Sequence, residues 1–417
     1  MDKSEVEIIT WPELYDSNTT NNNNETNTTE LCTNSYCISD EDYIDLIEEY
    51  IFPTRYEWTL IFFHFCVFVV GLMGNALVCI SVYRNNTMQT VTNYFIANLA
   101  VADFLVILIC LPPSVLWDVT ETWFFGAVMC KLVLYLQSVS VSVSVLTLTF
   151  ISVDRWYAIC YPLQFKSSTT NAKVIIIFIW TISFLLVLPE AIVLDTQKHP
   201  NIKVETYYLT DCSYTWDGRY TCIYQMYIFI ALYILPFILM SVVYCQIARV
   251  LWNRDIPGSS ETTLHHHARR GILKSAGRRG EPEADVVNPN CEGQIQSRRK
   301  AAKMLISVVI IFGLCYLPVH LINTLRYTVG IPQSDATSVA SLLSHWLCYA
   351  NSAANPIVYN FMSGKFRKEF KNSFACLCFR RTYRGRSRKT TNIYKSRFAS
   401  STTHFENINL NSFVHYS

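Results

Sequence analysis

Charge is scarce in this sequence. Of 417 residues, 16% are Asp, Glu, Lys or Arg and 51% are hydrophobic. That balance argues against the two or three soluble domains the length would otherwise suggest. The first 34 residues lack an apolar core segment, so no cleavable signal peptide is expected and the first apolar run must direct translocation of the tail. A metal-ligand pattern is also wanting. His265, His266 and His267 stand together, but no Cys/His pairing spacing accompanies them, and a solvated polar run is the better reading. Nor is there an internal repeat with matching broken helices, which argues against a transporter.

What is present is apolar length. Seven runs of membrane-spanning size occupy roughly 57–83, 93–117, 128–159, 172–194, 222–251, 301–327 and 337–362. The fold class expected is therefore an all-α membrane protein, a seven-transmembrane helix bundle with a short amphipathic helix after the seventh span. The net charge of +2 hides a segregation. Residues 1–55 are acidic, whereas Arg269, Arg270, Arg278, Arg279, Arg298, Arg299 and Lys300 fall between runs five and six. Lys365, Arg367, Lys368 and Lys371 follow run seven. The positive-inside rule then places the N-terminus outside and the C-terminus in the cytoplasm.

The organisation follows from these runs. Residues 1–55 form an extracellular tail in which Asn18, Asn24 and Asn27 each begin a glycosylation sequon. Within it, Ser39-Asp40-Glu41-Asp42 is a helix start, and Tyr43, Leu46, Ile47, Tyr50 and Ile51 recur at helical spacing. An acidic amphipathic helix over 40–52 is predicted, ended by Pro53. It would either lie on the membrane or outer rim, or serve as an acidic platform for a basic peptide. Cys32 and Cys37 would close a small loop or stand as two thiols. The span domain covers 56–363, with residues 253–300 a long inner loop expected to hold little order. Residues 364–378 form the amphipathic segment with palmitoylation candidates Cys376 and Cys378, and 379–417 a cytoplasmic tail.

The third run organises the rest. Gln137 and Arg155 lie eighteen positions apart, five full turns at about 100° per residue, so they point the same way. At ~1.5 Å per residue they are ~27 Å apart, close to the thickness of a bilayer core. Ser138 to Val145 alternates serine and valine as a strand would. An open strand cannot pair its backbone in hydrocarbon, so a helix is predicted. Cys130 opens this run, and Cys212, in the loop between runs four and five, shares its oxidising side; a bridge between them would pin that loop across the outer mouth. The segment Lys203 to Tyr214 is predicted as a hairpin. In run one, Asn75 offers a bond between helices. In run two, Asp103 must face a polar interior, as a structural knot or an ion site, and Pro112-Pro113 kinks the outer end.

Several local motifs fall in order, each in its run: Gly74-Asn75, Leu99-Ala100-x-Ala102-Asp103, Asp154-Arg155-Trp156, Trp180, Pro236, Cys315-Tyr316-Leu317-Pro318 and Asn355-Pro356-Ile357-Val358-Tyr359. Together they resemble the class A (rhodopsin-like) G-protein-coupled receptors. Thr90-Val91-Thr92-Asn93-Tyr94-Phe95, Glu121-Thr122-Trp123-Phe124-Phe125-Gly126, the segment 135–144 and Ser344-His345-Trp346-Leu347 are similar to the orexin receptor branch. Within that branch the chain looks most like the insect allatotropin receptors.

The resemblance implies a receptor, not an enzyme, for an amidated neuropeptide: allatotropin, with orexin or another amidated peptide as the alternative. It implies a ligand site at Gln137, Ser114, Asp118, Glu190, Tyr233, Asn323, His345 and Tyr349, each of which could instead make only an interhelical hydrogen bond. It implies activation elements at Asp154, Arg155, Trp156, Tyr316, Pro318, Asn355, Pro356 and Tyr359. It also implies a sodium pocket at Asp103, Ser144, Asn351, Ser352 and Asn355, with no cofactor beyond that allosteric sodium ion. The partners implied are a heterotrimeric G protein of the Gq, calcium-mobilising kind, arrestin, a receptor kinase and membrane lipid, and no nucleic acid. The location implied is the plasma membrane. The chain departs from the branch at Glu190, where glutamine is usual, and at Ser213, where an acidic residue is usual. An opsin would need a lysine in run seven, which 337–362 lacks, and an amine receptor would want a carboxylate in place of Gln137.

Overall fold

A computed structural model describes residues 34, 36–163, 168–199, 202–252, 289–332, 334–373 and 375. The chain divides into two compact units, 1–367 and 368–417. In the second unit, residues 368–373 are helical. The three sequon asparagines, Cys32, the span 253–288, and Cys376 and Cys378 lie outside the described residues.

The chain begins its regular structure with α1 (Asp40–Ile51), where the Ser39 hydroxyl accepts the Asp42 N–H and three acidic residues sit in the first turn, favourable to the helix dipole. Tyr43, Ile47 and Ile51, spaced four apart, are buried against Val204, with Ile202, Tyr208 and Leu209 alongside. The apolar face of α1 thus packs on the chain's own loop, and the Tyr208 hydroxyl donates to Glu48 at 2.7 Å. Cys37 is disulfide-bonded.

The spans follow. They are α2 (Arg55–Arg84), α3 (Val91–Ile109) continued by α4 (Leu111–Thr120), α5 (Gly126–Cys160), and α6 (Thr169–Leu186) continued by the short α7 (Leu188–Val193). Then come α8 (Gly218–Phe229), joined through a π turn at Ile230–Ile234 to α9 (Leu235–Trp252), and lastly α10 (Pro289–Thr328) and α11 (Asp335–Met362). The expected kink in run two falls at Cys110, because Pro112 and Pro113 are tolerated only in a first turn, which restarts the helix as α4. The alternating Ser138–Val145 stretch is helical within α5, as membrane length requires. The π turn precedes Pro236, whose missing N–H breaks the regular ladder there.

Among the described residues six helices are long and apolar enough to cross a membrane. The seventh, α11, is 28 residues long but carries His345, Asn351, Ser352 and Asn355 along its length, which lowers its apolarity. The bundle is polar inside and apolar outside. Asn75, Asp103, Thr147, Asn351 and Asn355 are buried, while Phe62, Phe65, Ile177, Leu185 and Phe361 are exposed to the membrane's hydrocarbon.

Interhelical polar bonds do the joining. Asn75 Nδ2 donates to the Ser352 carbonyl at 3.0 Å, tying α2 to α11. Asn98 Nδ2 donates to Thr147 Oγ1 at 2.8 Å, and Trp180 Nε1 donates to Asn98 Oδ1 at 2.8 Å, so one carboxamide joins α3, α5 and α6. Gly74 faces Pro356, where an added Cβ would come within 2.8 Å, and this absence of a side chain lets α2 and α11 approach.

Between α7 and α8 lies an antiparallel pair, β1 (Leu194–Lys198) and β2 (Thr210–Tyr214), with Thr196 opposite Cys212. The hairpin predicted within Lys203–Tyr214 is corrected: only its last residues form a strand, paired with β1 rather than with 203–208. Val204 and Tyr208 alternate with polar residues because they meet α1, not a neighbouring strand. Cys130 of α5 is bridged to Cys212 of β2, holding the pair across one end of the bundle.

Candidate functional site

The bundle holds two groups of functional side chains, one at the disulfide end and one at the opposite end, where α5 closes on Asp154 and Arg155. Beneath β2 is a cavity of about 190 Å³ walled by α3, α5, α7, β2, α8 and the π turn after it, α10 and α11. Of the ligand-site candidates, Gln137, Glu190, Asn323 and Tyr349 line it. The Tyr349 hydroxyl lies 2.9 Å from Ser114 Oγ and 3.2 Å from Gln137 Oε1. Accepting from the serine and donating to the glutamine carbonyl satisfies both contacts. This fixes Gln137 and leaves its carboxamide N–H groups for a guest.

Glu190 is 6% exposed. Its Oε1 accepts from the Tyr214 hydroxyl at 3.4 Å, and its buried Oε2 has no hydrogen-bond partner. Gln225 Nε2 donates in turn to the Tyr214 hydroxyl at 3.2 Å.

Four expected ligand residues stand elsewhere. Ser114 reaches the cavity only through Tyr349, since it belongs to α4, set back from the wall. Asp118 and His345 face each other, Nδ1 to carboxylate at 2.9 Å, and their mutual pairing holds them outside the lining. Tyr233 donates to the Gly313 carbonyl at 2.9 Å and stacks between Phe229 and Phe237, so its hydroxyl joins helices instead of facing the cavity.

Among the lining residues outside the expected ligand set are Tyr214, Gln225 and His320. Two had a signal. Tyr214 shares a strand face with Cys212 two positions back, and His320 falls between Tyr316 and Asn323 at helical spacing of four and three.

At the other end, Arg155 Nη2 and Nε both donate to Asp154 Oδ2, at 2.6 and 3.0 Å. Trp156 packs edge-on to Tyr157 and Tyr161. Between the two ends, Tyr316 packs on Phe312 with ring centres 4.7 Å apart, four residues above Phe312 and two below Pro318, which lies inside α10. Tyr359, just after Pro356 in α11, is buried and stacked on Phe366.

Asp103 is 1% exposed and accepts from Asn355 Nδ2 at 2.7 Å. Ser352 also bonds to this carboxylate. Ser144 is buried on α5, and on α11 the buried Asn351 Oδ1 lacks a hydrogen-bond partner. A buried carboxylate beside the Ser352 hydroxyl offers oxygens of the kind that fit a hard monovalent cation such as sodium.

These features define the class. The chain matches the 7 transmembrane receptor (rhodopsin family) over residues 74–359. It belongs to that family, the class A G-protein-coupled receptors, and is a multi-pass membrane receptor, not an enzyme. It is also similar to a QRFP-like peptide receptor from Branchiostoma floridae, 28% identical over 317 residues, covering 75% of this chain and 77% of that protein.

Proposed function

We propose that this chain is a plasma-membrane receptor for an amidated neuropeptide, with allatotropin the first ligand to test, its N-terminus extracellular and its C-terminus cytoplasmic. The carrying observation is the Gln137–Tyr349–Ser114 chain at the wall of the cavity. It presents a fixed, neutral carboxamide, the complement of a terminal peptide amide, whereas an amine would want a carboxylate there. The similarity to a QRFP-like peptide receptor supports a peptide ligand and keeps a second reading open, an amidated peptide other than allatotropin, orexin included.

The ligand shifts an equilibrium between two arrangements only by its different affinity for each. In the resting arrangement Asp154 holds Arg155. Release of that pair and an outward swing of α10 admit a heterotrimeric G protein of the calcium-mobilising Gq class, and Tyr359 then supports the open form. Asp103, Ser144, Asn351, Ser352 and Asn355 would hold a sodium ion that favours the resting arrangement. Glycans at Asn18, Asn24 and Asn27, palmitate at Cys376 and Cys378, and later capture by a receptor kinase and arrestin complete the proposal.

The test is calcium release from cells expressing the full chain, exposed to allatotropin, orexin and other amidated peptides. A response to allatotropin that is lost with its free-acid form, and weakened about tenfold or more by Gln137→Ala, supports the reading. A response only to another amidated peptide discards the ligand and keeps the receptor class.

A further inference from the structure

The cavity has an electrostatic imbalance. Glu190 is the one carboxylate among its lining residues, and no Lys or Arg shares the wall. The other polar groups are neutral, among them the amides and hydroxyls of Gln137, Ser138, Tyr214, Gln225, Asn323 and Tyr349, with the imidazole of His320. His320 does not pair with the carboxylate; it packs against Phe229 and Tyr233, ring centres 5.5 and 5.2 Å away. No described ion pair includes Glu190. Its Oε1 has a long bond from Tyr214, the Ser138 and Tyr224 hydroxyls are also directed to the carboxylate, and Oε2 is buried with no close bond of its own.

A buried charge without a counter-ion is costly, and proteins ordinarily pair it or leave it out. A structural role would need only acceptor oxygen for the surrounding hydroxyls of Ser138, Tyr214 and Tyr224, which the neutral glutamine carbonyl also offers at the same size. The carboxylate, when ionised, adds a charge that no ion pair among the described residues compensates. Of the nearby aromatic rings, Tyr214 lines the cavity beside Glu190 and is held from behind by Trp216 and Tyr224, so an aromatic surface that suits a guanidinium stands next to the carboxylate.

We propose that Glu190 is a specificity-determining residue whose partner is a cationic side chain of the ligand, so that the receptor selects amidated peptides carrying a guanidinium near the amidated end. Gln137 and Tyr349 take the terminal amide, and Glu190, with the Tyr214 hydroxyl at its side, takes the cation. Tyr214 is held in place by β2, and β2 by the Cys130–Cys212 bridge, so the loop and the carboxylate form one recognition surface. The inference rests on the amidated-peptide reading and narrows it.

The experiment uses full-length receptor in cells and synthetic amidated octapeptides in which arginine, or its uncharged isostere citrulline, is moved through the last four positions. Wild-type receptor should prefer arginine to citrulline by about tenfold or more at one position, the ratio of a charge-assisted bond to a neutral one. In Glu190→Gln that ratio should fall toward one, and Glu190→Lys should favour a glutamate peptide over the arginine one. A ratio near one at every position, or one that survives Glu190→Gln in receptor present at the surface, overturns the proposal while leaving the peptide reading standing.

If no peptide activates, thermal unfolding of purified receptor decides. Stabilisation by argininamide over citrullinamide, abolished by Glu190→Gln, upholds the cation site and turns the failure on the peptide reading. Equal effects of the two amides reject the cation site.

Discussion

The two ends of the bundle are held together differently. At the disulfide end, segments far apart in the chain are tied to one another. The Cys130–Cys212 bridge spans 82 positions, the Trp123 N–H donates to the Thr210 carbonyl at 2.7 Å, and Tyr208 reaches back to Glu48 on α1. At the opposite end the central tie is between neighbours, Arg155 and Asp154, with Trp156, Tyr157 and Tyr161 packed within the same stretch. There Arg299 Nε donates to the Leu251 carbonyl to join α10 and α9. One end is built to present a fixed surface. At the other, the Asp154–Arg155 pair can exchange partners without breaking the bundle, because a pair within one helix does not hold two helices together.

Breaking the first end should have the largest effect. Cys212→Ser frees the loop and leaves the fully buried Cys130 unpaired, at a cost of ~2–5 kcal/mol. Surface abundance and thermal midpoint should both fall sharply, and peptide response should vanish. At the other end, Asp154→Asn keeps the shape of the side chain and removes its charge. Asp154 is buried but Arg155 keeps part of its guanidinium side chain in water, so loss of the pair is worth ~1 kcal/mol, roughly a fivefold shift between the two arrangements. Ligand-free signalling per surface receptor should rise by about that factor, while peptide affinity changes little.

The smallest effect sharpens the contrast. Ile47→Ala thins the contact between α1 and the loop, and hydrogen exchange should quicken in α1 alone, the bundle keeping its thermal midpoint. Unfolding of the whole receptor at a lower temperature would show that α1 is part of the cooperative core.

Much of this arrangement was legible in the residues. The start of α1 is written in Ser39 and the three acidic residues after it, and its buried face in the spacing of Tyr43, Ile47 and Ile51. Length overruled alternation at Ser138–Val145, since a bilayer permits no open strand. The same alternation misled at Val204–Tyr208, where no membrane length was there to arbitrate and the buried side chains met a helix more than 150 positions earlier in sequence. Tyr233 was misplaced for a local reason. It sits in the π turn, whose i→i+5 bonds move side chains off the 3.6-residue schedule on which a helix face is read. Asp118 and His345 illustrate a third limit: residue type marked both as polar groups in the bundle, but only the fold shows that each is already occupied by the other.

Asn98 carries a consequence for how the energies of this receptor combine. Its amide nitrogen serves Thr147 and its carbonyl oxygen serves Trp180, so the carboxamide plane is oriented by both neighbours at once. Losing either partner slackens the bond to the other. The seams of α3 with α5 and of α3 with α6 are therefore a single thermodynamic quantity, and the penalties of Thr147→Ala and Trp180→Phe do not sum in the double variant.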